Sequence, residues 1–367
     1  MSNIPFVHTG KFGILTAGGD CPGLNAAIQA LCCAASTRFN MKMVGIFGGY
    51  QGLISGNARE LNPRDYEDIL TQGGTILGSS RVKPYKNEDD SYDTEMSKVE
   101  LIKENYRKLG LDCLVVLGGN GTHSTAYRLS WEGLNILGLP KTIDNDIVGT
   151  DYSFGFDTAV SVASDAVYRH HSTAQSHSRV MVIELMGHKA GWLALYAGIA
   201  GGADVILLPE IPYDLDSISR HIKERTRRGK NYSIVVVAEG ALSVEEEQMS
   251  KKERKKFRSE TVVSSISHRI ANEIEIETSM ESRATVLGYI QRGGMPSPAD
   301  RILATSMGTA AAGHLAKGEY GRMMAIVGNE ITSVDLSVPA DKVKTVPLDH
   351  YMVKSALSMG ICLGDDL

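Results

Sequence analysis

Short apolar runs that end in glycine or a turn residue, then lead into a helical pattern, recur along the chain. Phe12–Ala17 (FGILTA) runs into GGDCPG, and Leu24–Ala35 then reads as a helix. Met43–Phe47 (MVGIF) runs into GGYQG. Cys113–Leu117 (CLVVL) runs into GGNG, with a helical stretch through Leu129. Asn135–Leu139 runs into PKTIDND, and Val180–Leu185, Val205–Leu208, Ser233–Ala238 and Ala325–Val327 follow. Continuous apolar strands separated by helices predict βαβ units, hence an α/β fold with mostly parallel sheets covered on both faces. The window Ala190–Leu208 is the most membrane-like, but Gly201-Gly202 and Asp204 interrupt it. It reads as a buried helix followed by a buried strand, since a span needs about 20 mostly apolar residues. Asn87–Lys98 is polar and acidic, and Val244–Glu260 is dense in charge of both signs. Both read as solvated insertions, the second as an exposed helix. No short fixed repeat is present.

Composition narrows the class. At about 150 residues per domain, 367 residues predict two or three domains. Hydrophobic residues are 43% and charged residues 22%, which excludes wholesale disorder and collagen-like repeats. Glycine is high at 38 residues and aromatics low at 6%, as in α/β proteins with glycine loops at strand ends. A net charge of −5 gives no support for a nucleic-acid partner or an anionic membrane. The 5 cysteines include an adjacent pair and no C-x-x-C, which points away from disulfides and structural zinc and toward a reducing cytoplasm. The start of the chain lacks the basic-then-apolar pattern of a secretory signal.

Three strand-end loops carry candidate chemistry. Gly18, Gly19 and Gly23 sit between the first strand and its helix; glycines there allow close ligand approach, and the helix start offers free N–H groups to an anion. The spacing is neither G-x-G-x-x-G nor a Walker A loop. A second glycine loop, Gly118–Gly121, follows another strand. Ligands of open α/β sheets bind at strand carboxyl ends, so two such loops point to a phosphate-rich ligand. The third loop, Leu139–Asp151, places Asp144 and Asp146 two apart. Alone, that pair reads as a capped turn. Beside two glycine loops it reads as a base for a hydroxyl proton and a partner for Mg²⁺. Arg81, Arg179, Arg283 and Arg292 lie next to strand ends or turns, where a guanidinium fork matches phosphate oxygens. His170, His171 and His177 lack the spacing and acidic company of a metal site.

Together LTAGGDCPGLNAAI, GGTILGSSR, VVLGGNGT, PKTIDNDI, ELMGHKAG and ATVLGYIQRGGMPSPADR resemble the phosphofructokinase family, collinearly from about residue 12 to about 310. The resemblance implies two three-layer α/β domains with the chain crossing between them more than once. The donor-binding domain would be 1–155 plus about 291–341; the sugar-phosphate domain would be about 156–290 plus 342–367. It implies a cytoplasmic enzyme, a homotetramer or homodimer with shared active sites, that phosphorylates the 1-hydroxyl of fructose 6-phosphate from ATP with Mg²⁺. Asp144 resembles the family's general base, and Thr142 and Asp146 match residues holding sugar and magnesium. Gly19, Arg81, Val82, Gly119, Asn120, Gly121 and Thr122 match the donor site, Arg81 bridging the donor and acceptor phosphates. Met186, Gly187, His188 and Glu239 match sugar contacts; Tyr289 and Arg292 match contacts to the 6-phosphate. Arg179 and Arg283 match phosphate-binding arginines supplied by a neighbouring subunit.

Departures from the family pattern change the expectations. Asn120 stands where much of the family has aspartate, so it offers Mg²⁺ a neutral oxygen in place of a charge. His188 stands where many members have arginine, and Tyr289 where some bacterial members have histidine. Gly121 resembles the ATP-dependent members, whereas Lys141 resembles the pyrophosphate-dependent ones. The combination resembles a mixed subgroup assigned to ATP. Gln29, Cys33 and His171 replace effector-binding arginines, which implies little response to ADP or phosphoenolpyruvate. The alternatives are a pyrophosphate–fructose-6-phosphate phosphotransferase and a catalytically silent sugar-phosphate-binding relative.

Overall fold

A computed structural model describes residues 10–85, 96–260 and 265–365. The polar segment Asn87–Lys98 lies outside the described residues up to position 95, as does the start of the chain through position 9. The chain divides into two compact units, Met1–Thr158 with Arg292–Val343 and Ala159–Gln291 with Lys344–Leu367.

The first unit is built on β1 (Lys11–Thr16), β2 (Lys42–Ile46), β3 (Ala58–Glu60), β4 (Cys113–Gly118) and β5 (Ile136–Pro140). The second contains β6 (Val180–Leu185), β7 (Val205–Leu207), β8 (Ser233–Ala238) and β9 (Ser282–Val286). The chain then returns to the first unit for β10 (Arg322–Val327) and β11 (Glu330–Asp335). The first sheet has the order β11-β10-β5-β4-β1-β2-β3. Its central strands are parallel, and β3 and β11 close the edges antiparallel. Alternate residues face opposite sides. Leu15, Val44, Ile46, Leu114, Val116 and Ile136 share one buried cluster with Leu53, Ile102, Ala126 and Leu129 from the helices covering that face. Burying each large side chain contributes about 1.5–3 kcal/mol.

The second sheet, β7-β8-β6-β9, is parallel throughout. Val180, Val182, Val205, Leu207, Val235 and Val237 pack with Ile218, Ile222, Ile270 and Ile274 from helices Leu215–Arg227 and Ile266–Thr278. The C-terminal stretch covers the edge strand. Cys362 forms a parallel bridge to Val205, with Ile206 N–H donating to the Cys362 carbonyl at 2.9 Å. An unpaired edge would invite association, and this tail removes it.

The apolar runs appear as strands, most within a residue of the expected bounds. The membrane-like window resolves into helix Trp192–Gly201 and β7, and among the described residues no helix is long and apolar enough to cross a membrane. β3, β9 and β11 carry too few buried residues to register as apolar runs.

The charged segment Val244–Glu260 corrects the expectation of a wholly solvated helix. It forms two helices, Val244–Gln248 and Lys251–Glu260, and Glu246 in the first is fully buried. Its carboxylate accepts from Arg258 Nε at 2.6 Å, Arg269 Nη2 at 2.6 Å and Ser243 N–H at 3.1 Å. Burial opposes its ionisation, but the two guanidinium bonds and the N–H hold it down at about 2, against 4.5 ordinarily. Glu246→Gln is expected to destabilise the fold by about 3–5 kcal/mol at neutral pH, because it strands two partly buried guanidinium groups. A carboxyl held below its unfolded value stabilises above that value and loses its effect as pH falls through the folded one. Urea titrations are therefore expected to show the gap between wild type and variant narrowing as pH drops from 4.5 toward 2.

Candidate active site

In the first sheet β2 lies on one side of β1 and β4 on the other, so the strand order reverses between β1 and β4. Ligands of open α/β sheets bind outside strand carboxyl ends at such a point. The loop after β1 and the loop after β4 are side by side there, with Ala17 N–H donating to the Leu117 carbonyl at 3.0 Å. A cleft of about 490 Å³ opens beside them, lined by Gly18, Gly19, Asp20, Thr75, Ser79, Ser80 and Arg81. Its outer wall is tied to β1. Thr16 Oγ1 donates to the Gly78 carbonyl at 2.6 Å, Ser79 Oγ to the Gly18 carbonyl at 2.6 Å, and Gly18 N–H to the Ser80 carbonyl at 2.9 Å. Arg81 is thereby held exposed at the rim, while Val82 turns back onto the core.

Helix Asn120–Trp131 begins directly after β4 with Gly119 at its N-cap and no side-chain cap. The first N–H groups of such a helix suit an anion. A side chain at Gly121 would enter open space, with nothing within 4 Å of its Cβ. Thr122 is buried under the loop and its Oγ1 bonds back to the Ala17 carbonyl at 3.4 Å. His123, which the sequence reading passed over, is fully buried with Nδ1 3.0 Å from the Gly119 carbonyl. Burial pushes it down to about 4, so it is neutral and fixes the turn as a hydrogen-bonded wedge.

Lys141 follows β5 and is buried. Its ammonium donates to the Gly19 carbonyl, and burial lowers its pKa. Arg292 reaches the same loop: Nη1 donates to the Asp20 carbonyl at 2.9 Å. A Cβ on Gly19 would stand 2.4 Å from that Nη1, so a glycine lets the guanidinium lie on the backbone. The structure thus places Arg292 against the first glycine loop.

The loop carrying Thr142, Asp144 and Asp146 is latched by Asn145. Asn145 sits in the left-handed region at φ 49° with its side chain buried. Its Nδ2 donates to the Asp151 carbonyl at 3.2 Å and its Oδ1 accepts from Ser153 N–H at 3.1 Å. Asp144 and Asp146 therefore stay half-exposed while Asn145 points inward. Thr142 Oγ1 accepts from Asp144 N–H at 3.1 Å. Asn120 Nδ2 donates to the Asp146 carboxylate at 2.6 Å, while the buried Asn120 Oδ1 has no protein partner. One carboxylate and one unsatisfied amide oxygen fit a Mg²⁺ that draws most ligands from phosphates and water. Among the described residues there is no cluster of three or more His, Cys, Asp or Glu that would hold a metal alone.

In the second unit, Met186, Gly187 and His188 follow β6, Glu239 follows β8 and Tyr289 follows β9, so all stand at one edge of the second sheet. Glu239 N–H donates to the Leu185 carbonyl at 2.9 Å and Gly240 N–H to the Gly187 carbonyl at 3.2 Å. Gly240 must lack a side chain, since a Cβ would stand 2.0 Å from the His188 carbonyl oxygen. Buried Gln291 joins the β6 and β9 loops, accepting from Met186 N–H at 3.3 Å and donating to the Gly288 carbonyl at 3.0 Å. His188 and Tyr289 are exposed. Gln291 and Gly240 went unread because each acts through a contact distant in sequence.

Arg179 and Arg283 lie at the opposite end of this sheet. Arg179 precedes β6, and Arg283 is near the start of β9. Both pair with Glu281, Arg179 at 2.7 Å. Six residues of β6 put about 17–20 Å between the two ends, so these arginines do not meet Met186 or Glu239 within the unit. Gln29 accepts from Ile69 N–H at 3.1 Å, and His171 Nε2 bonds the Gly201 carbonyl at 2.8 Å. Cys33 is half-buried on its helix, and His170 bridges the Ala166 carbonyl and Thr285 Oγ1.

Known proteins match this layout. The phosphofructokinase family matches residues 11–315. A protein of Spirochaeta thermophila named ATP-dependent 6-phosphofructokinase is 60% identical over 359 residues, 97% of this chain and 98% of the relative. A pyrophosphate–fructose 6-phosphate 1-phosphotransferase of Amycolatopsis mediterranei is 44% identical over 342 residues, 93% of this chain and 97% of the relative. The crystal structure of Pichia pastoris phosphofructokinase in the T-state superposes with a TM-score of 0.76 at 30% identity, covering 92% of this chain and 36% of that one. The family match runs from the first strand almost to the end of the long helix Pro298–Lys317, and on that ground the chain belongs to the phosphofructokinase family.

Proposed function

We propose that this chain is an ATP-dependent 6-phosphofructokinase, which transfers the γ-phosphoryl of ATP to the 1-hydroxyl of fructose 6-phosphate and releases fructose 1,6-bisphosphate, a step of glycolysis. The observation that carries this reading is 60% identity, end to end, to a protein of that name. Phosphoryl transfer asks little covalent chemistry of a protein; it asks for alignment, charge neutralisation and a base. Asp144 takes the proton from the sugar hydroxyl, and Thr142 orders the loop that carries it. Gly19, Arg81, Val82 and the turn Gly119–Thr122 receive the donor, with Arg81 compensating charge that develops between donor and acceptor. Asp146 and Asn120 would hold Mg²⁺, which neutralises the donor phosphates when bound. The first unit is the donor-binding domain and the second the sugar-phosphate domain. Met186, Gly187, His188 and Glu239 contact the sugar; Tyr289 and Arg292 take the 6-phosphate. Arg179 and Arg283 serve the site of a neighbouring subunit in a cytoplasmic homotetramer or homodimer, a role that fits their place at the far end of the sheet. The substrates are the only partners this reading requires.

The donor is read as ATP because the position of Gly121 is open, leaving room for a nucleotide's phosphates. Buried Lys141 favours the second reading, a pyrophosphate-dependent phosphotransferase, yet its ammonium is engaged by the Gly19 carbonyl and acts as a brace of the loop. Steady-state formation of fructose 1,6-bisphosphate with Mg²⁺, comparing ATP with pyrophosphate, separates the readings. Turnover with ATP alone is expected. Turnover with pyrophosphate alone overturns the donor, and turnover with neither returns the silent-relative reading.

A further inference from the structure

The charged helix Lys251–Glu260 has an inward side that reaches the turn bearing Glu239. Arg258 Nη2 donates to the Ala241 carbonyl at 2.9 Å, and its Nε holds the buried carboxylate of Glu246 at 2.6 Å. Glu246 is itself fixed through Arg269, whose Nη2 also bonds Tyr213 OH at 2.7 Å. Arg254 adds bonds to the carbonyls of Glu246 at 3.0 Å and Met249 at 3.2 Å. The turn is thus gripped on two sides. On one side Glu239 and Gly240 N–H groups bond the backbone of Leu185 and Gly187. On the other, a planar guanidinium spans the Ala241 carbonyl and a carboxylate that nothing else in the turn can move. A guanidinium makes both bonds in fixed geometry, which a single ammonium does not.

We infer that Arg258 is a positioning residue for the sugar site: through the Ala241 carbonyl it sets the turn that presents Glu239, and so the charged segment Val244–Glu260 tunes affinity for the sugar phosphate. This rests on the reading of Glu239 as a sugar contact. Its effect falls on binding, because the Ala241 carbonyl and the Glu246 carboxylate that it holds belong to the same unit as Glu239, the sugar contact.

The test is steady-state kinetics of the full-length enzyme with four variants. Arg258→Ala is expected to raise KM for fructose 6-phosphate about five- to tenfold, the scale of one ordinary hydrogen bond. Its kcat and its KM for ATP are expected to stay within about twofold. Arg258→Lys is expected to fall between, since it keeps charge and one bond. Lys252→Ala, an exposed position on the same helix, is expected to leave KM for the sugar unchanged. Glu239→Ala is expected to raise the same KM more than any of these. An unchanged sugar KM in folded Arg258→Ala overturns the inference, as does an equal rise in Lys252→Ala. Where Arg258→Ala does not fold, Arg258→Lys decides by the same criterion. An unchanged sugar KM in Glu239→Ala overturns the sugar-contact reading itself, a different failure.

Discussion

Asp144→Ser is expected to lower kcat at least about 10²-fold while changing KM for fructose 6-phosphate and ATP only modestly. Serine removes the proton acceptor but keeps a small polar group in the loop. The loop draws much of its shape from residues other than Asp144. Asn145 supplies that shape through bonds to Asp151 and Ser153, and the Asp144 contact to Thr142 comes from its backbone N–H. Folding and substrate binding are therefore expected to survive. General-base contributions of about 10²–10⁴ set the scale, and the interaction lost is one made chiefly in the transition state, so kcat and kcat/KM fall together. Saturation kinetics in both substrates, with melting temperature measured alongside, checks this. An unchanged kcat would remove Asp144 from the mechanism.

Gly121→Asp is expected to lower kcat/KM for ATP by about 10²–10³-fold without destabilising the protein. The second half of that statement follows from the local geometry. Gly121 is not at positive φ, and the space its Cβ would enter is open. It is also in the first turn of helix Asn120–Trp131, where a carboxylate adds about 0.3–1 kcal/mol of favourable dipole interaction. The first half follows from charge. A carboxylate about 4–5 Å from a donor phosphate, at an effective dielectric near 20, is repelled by about 3–4 kcal/mol per unit charge. Pyrophosphate carries no α-phosphate in a nucleoside chain, so its use is expected to suffer less and the donor preference to move toward it. A loss with ATP below about threefold, in a variant as stable as the parent, would show that donor phosphates do not approach this turn.

Much of the candidate site was legible because its residues cluster in short strand-end motifs. The glycine loops, the Asp144–Asp146 pair and the Met186–His188 stretch each follow an apolar run, and a strand end is where an α/β sheet presents chemistry. The residues that hold them were not legible. His123 sits in a helical pattern and reads as one more polar residue, yet it is fully buried beneath Gly119. Gln291 lies inside a recognised motif, but its function is the bond to Met186, 105 positions away. Glu246 stands in a run of three acidic residues, and nothing in its neighbours marks it as the one that is buried. Periodicity reports which face of one element is apolar; it carries no information about which distant polar group will satisfy a buried one.

By itself the sequence determined the succession of parallel strands and helices, the glycine turns at their ends and the family they resemble. These are local properties: a run of β-branched and apolar residues, a turn without side chains, a fixed spacing of carboxylates. Tertiary structure decided the rest. Strand order made the ends of β1 and β4 adjacent and so set two glycine loops side by side. It sent the Lys141 ammonium across to the Gly19 carbonyl, and it put Arg179 and Arg283 at the far end of the second sheet from Glu239. The physical reason is the same in each case. Which buried polar groups meet is settled by the register and order of strands, and those are set by how whole faces pack, a sum over contacts that no short stretch of chain contains.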